Sequence, residues 1–99
     1  MRIGKVIGKI WATRKEEKLS GLKLLIIQPV NVITDELDRA PLVAADIIGA
    51  GVGEMVIFVS GSSARGAVGD MQTPVDATVV GIVDDLEIDK ALIKCGGDS

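Results

Sequence analysis

The segment Arg2-Ile3-Gly4-Lys5-Val6-Ile7-Gly8-Lys9-Ile10-Trp11-Ala12 carries the fold. Read as a strand, it puts Gly4, Val6, Gly8, Ile10 and Ala12 on one face and Ile3, Lys5, Ile7, Lys9 and Trp11 on the other. The first face is small and apolar, as the inside of a tight barrel requires. The second mixes lysines with large apolar groups, which is not an ordinary solvent face. Glycine inside a strand marks strong bending or the close approach of another backbone.

The rest of the chain repeats the pattern in short pieces. Thr13–Gly21 is polar and ends in a turn signal, so it links two antiparallel strands. Leu22–Val30 is the second strand, weakened near its end by Pro29. Asn31–Pro41 is a polar, acidic loop. Leu42–Ile48 is a third strand, stopped by Gly49, Gly51 and Gly53, and Glu54–Ser60 a fourth. Gly61–Thr73 is a small, Gly/Ser-rich loop with a helical turn at Ser62–Ala67. Pro74 opens a fifth strand over Ala77–Val83, and Asp84–Leu92 forms a short terminal helix. Five short strands at regular turn spacing predict an all-β fold, a small OB-like antiparallel barrel with a short C-terminal helix. One domain spans residues 1–92, with a fraying tail over 93–99.

Composition adds two constraints. Of 99 residues 47% are apolar, with 12 Val, 12 Ile, 8 Leu and 9 Ala, yet only Trp11 and Phe58 are aromatic. In strands 22–30, 54–60 and 77–83 these residues do not alternate: Leu24 and Ile26 oppose Leu25 and Ile27, and Val56 and Phe58 oppose Met55, Ile57 and Val59. An antiparallel sheet in a small monomer leaves one face polar. Here both are apolar and no long amphipathic helix is available as a cover, which argues for oligomerisation. Coverage by local loops is the alternative.

Histidine is absent, which removes the usual general base, metal ligand and pH switch. The single Cys95 excludes an internal disulfide and a Cys-rich zinc site, and reads as an inert bystander. No catalytic, metal or cofactor constellation is expected. Gly49-Ala50-Gly51-Val52-Gly53 fails as a dinucleotide loop, because its spacing is wrong and a strand follows it. It reads as a tight turn. Gly61-Ser62-Ser63-Ala64-Arg65-Gly66 fails as a nucleophile elbow, having Arg65 where glycine belongs and no histidine. A solvated loop, an interface loop and an anion site remain open there. Asp84, Asp85, Glu87 and Asp89 lack the central glycine of a calcium loop, and form a solvated acidic face or a partner for the basic front.

The net charge of −3 is split along the chain: residues 1–23 balance at +5 and residues 66–99 at −5. Such a division fits nucleic-acid contact, or one subunit's front meeting another's tail. Single-strand binders of OB architecture need a basic groove with aromatic platforms. Two aromatics and a pI near 4.8 argue against that alternative. No apolar run is long enough for a membrane helix. The start alternates from the first residues and lacks the apolar core of a signal peptide, so a cytoplasmic location is the default expectation.

Several segments, in order, resemble the CcmL/EutN family of bacterial microcompartment vertex proteins. They are Met1–Gly8 with Trp11-Ala12-Thr13-Arg14-Lys15; Leu19, Gly21, Lys23 and Leu24; Gln28-Pro29; Asp46–Glu54; Gly61–Arg65; and Pro74–Ala77 leading to Gly81–Asp84. The resemblance covers residues 1–86. It implies an OB-like barrel without catalytic activity that assembles as a pentamer. That ring closes the fivefold corners of a polyhedral shell in the bacterial cytoplasm, beside hexameric shell proteins. Nucleic acid, membrane and cofactor are not expected partners. In such a ring Ile3, Ile7, Trp11, Arg14 and Val56 are expected at the joint, with Gly49, Gly51 and Gly53 turning beside it. Gly61, Ser62, Ser63, Ala64 and Arg65 then face either the central axis or the rim.

Overall fold

A computed structural model describes residues 1–11, 21–69 and 75–92. Nearly all of the expected Thr13–Gly21 link, Arg14 included, lies outside these residues, as do the opening Pro74 and the 93–99 tail. The described chain forms β1 (Arg2–Ile10), β2 (Lys23–Asn31), β3 (Glu36–Leu37), β4 (Leu42–Asp46), β5 (Met55–Ser60), α1 (Gly61–Ala67) and β6 (Ala77–Ile82), then a 3₁₀ turn at Lys90–Leu92. The five expected strands are all present. The terminal helix is shorter than the Asp84–Leu92 span expected, reduced to that single turn, while α1 is a full seven-residue helix.

The strands run in the order β1-β5-β6-β4-β2, and β1 also pairs with β2, so the sheet closes into a barrel. β3 is a two-residue flap on the end of β2. One junction departs from the antiparallel expectation: β4 and β6 pair in parallel through Ala45–Thr78 and Asp46–Val79. Parallel neighbours need a long crossover, and residues 47–76 supply it by passing through β5 and α1.

The interior is filled by Val6, Leu25, Ile27, Ala44, Val56, Phe58 and Val79 around one another. Gly4 makes this tightness possible. A Cβ at Gly4 would lie 2.5 Å from Ile27 Cγ2 and 2.9 Å from the Gln28 carbonyl oxygen, closer than packed atoms tolerate. Val56 therefore belongs to the barrel core, fully buried, and not to a subunit joint as expected. Its outward neighbours Met55 and Ile57 are half-buried instead.

The alternation along β1 holds through Val6 and then inverts. Val6 pairs with Ile27, Ile7 is an extra residue, and Gly8 pairs with Ile26. Opposed residues share a face, so Gly8 and Ile10 join Ile26 and Leu24 outside the barrel, contrary to the expectation that both point in. A β-bulge produces this reversal because one inserted residue shifts the period-two pattern by one. A second irregularity lies between Ile57 and Phe58, where Ile57 pairs with Gly81 and Phe58 with Val79.

Candidate subunit interface

Part of the outer surface is covered by the chain itself. Ala64 of α1 is fully buried and packs with Ala45 and Val75, flanked by Leu22, Val59 and Val68. Thr78, also fully buried, donates its hydroxyl to the Ala64 carbonyl at 2.8 Å and ties the helix to β6. The helix thus closes one end of the outer face, a cover that the Gly/Ser-rich composition of residues 61–67 did not announce. Ala64 itself points into the molecule and offers nothing to an axis or rim. Gly61, Ser62 and Ser63 are exposed and Arg65 half-buried, so these four remain available.

Two apolar areas stay open. On the β1–β5–β6 side, Ile3 lies opposite Ile57, which lies opposite Gly81. On the β1–β2–β4 side, Gly8 lies opposite Ile26, which lies opposite Val43. Ile7 and Val43 expose 47% and 49% of their surfaces there. Ile10 and Leu24 extend the second area towards the end of the β1–β2 hairpin, where Trp11 stands 89% exposed. Of the residues expected at a joint, Ile3 and Ile7 sit in these areas and Trp11 adjoins them. Ile26, Val43 and Ile57 belong with them as well; the signal for Ile26 and Ile57 in the sequence is the lack of alternation in strands 22–30 and 54–60.

The Gly49–Gly53 turn is built rather than loose. Gly49 and Gly53 both adopt φ +95°, a left-handed conformation that favours glycine. The Asp46 carboxylate accepts the backbone N–H groups of Ile48, Gly49 and Ala50, each at 3.0 Å. Glu54 accepts the Gly51 N–H with its side chain, and Gly53 donates to the Val6 carbonyl at 2.8 Å. Asp46 and Glu54 were not singled out in the sequence, although Asp placed two to four residues before unpaired N–H groups is a known turn signal. The turn presents Ile47, Ile48 and Val52, all exposed. Gly49 and Gly53 are themselves exposed and Gly51 half-buried.

At the opposite end the loop after β2 is tied down by Gln28, whose side-chain amide donates to the Arg39 carbonyl at 2.7 Å. Arg2 pairs with Asp38 at 3.0 Å and lies 5.5 Å from the centre of the Phe58 ring. The barrel thus has fixed ends and an apolar girdle.

A family model described as ethanolamine utilisation protein EutN/carboxysome matches residues 1–84. The chain belongs to the EutN/CcmL family. It is 47% identical over 89 residues to the bacterial microcompartment shell vertex protein GrpN of Rhodospirillum rubrum, spanning 88% of this chain and 97% of that protein. Among solved structures it resembles an ethanolamine utilization protein EutN, with a TM-score of 0.83, 41% identity and coverage of 89% and 91% of the two chains. It also resembles the GrpN pentameric microcompartment shell protein from Rhodospirillum rubrum, with a TM-score of 0.79, 44% identity and coverage of 90% and 100%. For a member of the EutN/CcmL family, the two open apolar areas are the surfaces to examine for assembly.

Proposed function

We propose that this chain is a structural vertex component of a bacterial microcompartment shell, forming a pentameric ring among hexameric tiles in the cytoplasm. The observation that carries this reading is the pair of unlike apolar areas on one barrel, in a family whose relatives include a pentameric shell protein. A cyclic ring uses a heterologous contact, in which one patch meets a different patch on the neighbour and the rotation closes. The Ile3/Ile57 side and the Ile26/Val43 side are two such patches.

The work of the protein is geometric. Hexagonal tiles alone make a flat sheet, and five-sided tiles supply the curvature that closes it. At about 25 cal/mol per Å² of apolar surface removed from water, several half-exposed aliphatic side chains contribute several kcal/mol per joint. No catalysis is required of a residue set without histidine. Recognition of single-stranded nucleic acid by the OB-like barrel finds little support, since Phe58 is buried in the core and Trp11 is the sole other aromatic.

The test is the mass of the purified protein by light scattering at micromolar concentration. Five chains per particle are expected. A stable monomer overturns the proposal.

A further inference from the structure

The two segments of opposite charge leave the barrel at the same end. β1 is antiparallel to β5, and β5 is antiparallel to β6, so β1 and β6 run in the same direction. Their continuations, Trp11 after β1 and Val83–Leu92 after β6, therefore head the same way, although β6 ends beside Gly4 through their shared partner Val56, several residues before Trp11. Around the barrel, however, the β1–β2 hairpin and β6 are not neighbours, being separated by β5 on one side and β4 on the other. One molecule thus carries a basic feature on one flank and an acidic one on another, both directed towards the same end of the barrel.

The basic feature is a groove of about 230 Å³ at the hairpin end, lined by Lys9, Trp11, Leu22, Lys23, Leu24 and Leu25. Trp11 stands exposed over it, and Lys9 and Lys23 are exposed and form no ion pair among the described residues. The acidic feature is Asp84-Asp85-Leu86-Glu87-Ile88-Asp89, which has no regular secondary structure. In extended chain, Asp84, Leu86 and Ile88 share one side and Asp85, Glu87 and Asp89 the other, so the segment offers carboxylates on both sides. Leu86 is 44% exposed. Asp84 and Glu87 make no ion pair among the described residues either. A groove that combines exposed ammonium groups with apolar side chains thus matches a segment that combines carboxylates with Leu86 and Ile88.

We infer that in the assembled ring the Asp84–Asp89 segment of one subunit docks into the Lys9–Trp11–Lys23 groove of the next. The inference rests on the ring reading and extends it by naming the partner segment and its groove. Leu86 covers Trp11 and Leu24, Asp84 on the same side faces the groove, and the long Lys9 and Lys23 side chains reach Glu87 at its edge. Charges arranged in this way favour the correct neighbour and the correct orientation more than they add affinity. An apolar joint alone lacks that discrimination.

The test uses the full chain and three variants, K9E/K23E, D84K/E87K and the combination of all four. Each pair reversal is expected to move the concentration at which the ring dissociates upward by about tenfold or more, and the combined variant to recover most of the loss. Carbodiimide cross-linking of wild-type rings mixed from ¹⁴N and ¹⁵N chains is expected to join Lys9 or Lys23 to Asp84 or Glu87 between chains. This second measurement needs no variant to fold. Rings whose dissociation and salt response are unchanged by both reversals overturn the inference alone, as do cross-links confined to one chain. Binding of oligo-dT that K9E/K23E abolishes while leaving the ring intact overturns it too, by assigning the groove to nucleic acid. A wild-type monomer overturns the ring itself.

Discussion

At the scale of single residues, glycine marks where the barrel has no room. Gly4 lies on the core face, and the two atoms that a methyl group there would strike are a branched Ile27 carbon and a backbone oxygen. Neither can give way cheaply. Gly4→Ala is expected to destabilise the fold by about 1–3 kcal/mol, as overpacking in tight cores does, measured by denaturant unfolding. Gly8→Ala is the control: its added methyl meets only the end of Ile26, at 3.3 Å from Cδ1, a terminal atom that rotates aside. A loss at Gly8 equal to that at Gly4 would refute this account. Asp46 illustrates the complementary case, a buried charge satisfied by three backbone donors, which fixes a turn without any packing of its own.

At the scale of elements, α1 depends on its contacts with the barrel. Seven residues, three of them serine or alanine in a row at Ser62, Ser63 and Ala64, cannot sustain an isolated helix. Its attachments include the Ala64 contact, the Thr78 hydroxyl bond and the Gly61 N–H donated to the Asp76 carbonyl at 2.9 Å. Thr78→Val keeps the shape and removes the bond, leaving the Ala64 carbonyl buried without that donor. A loss of about 1–2 kcal/mol is expected, together with faster amide exchange confined to residues 61–68. Exchange that accelerates uniformly through the barrel would contradict a local role. The elements also show how far the sequence could be read. Five strands were legible because alternating or continuous apolar runs end at Gly, Pro and Asp. The core role of Val56 was open to reading as well, since it opposes Met55 and Ile57, but periodicity does not say which face is inside when both are apolar. The bulge at Ile7 had only the neighbouring Gly8 as a signal, which marks bending without saying which residue is the inserted one. The parallel β4–β6 pairing depends on where a thirty-residue crossover lands, which is a property of the closed barrel.

At the scale of the whole molecule, the joint is predicted to be separable from the fold. Ile57→Asp and Val43→Asp each place a charge on an open apolar area, so each should yield folded monomers with a near-native circular dichroism spectrum. Val56→Asp buries the charge in the core and should unfold the chain outright, since an unpaired interior carboxylate is among the costliest changes available. Light scattering read beside the spectrum distinguishes the outcomes, and intact pentamers from both Ile57→Asp and Val43→Asp would show that the ring joins elsewhere. The segment after β6 has a consequence beyond the joint. Rotation about a fivefold axis preserves up and down, so in every copy the segment after β6 departs from the same side of the ring. A peptide or reporter appended to that segment would be presented five times on one surface of the corner piece and not at all on the other. The capsule would then sort such an attachment wholly to its interior or wholly to its exterior.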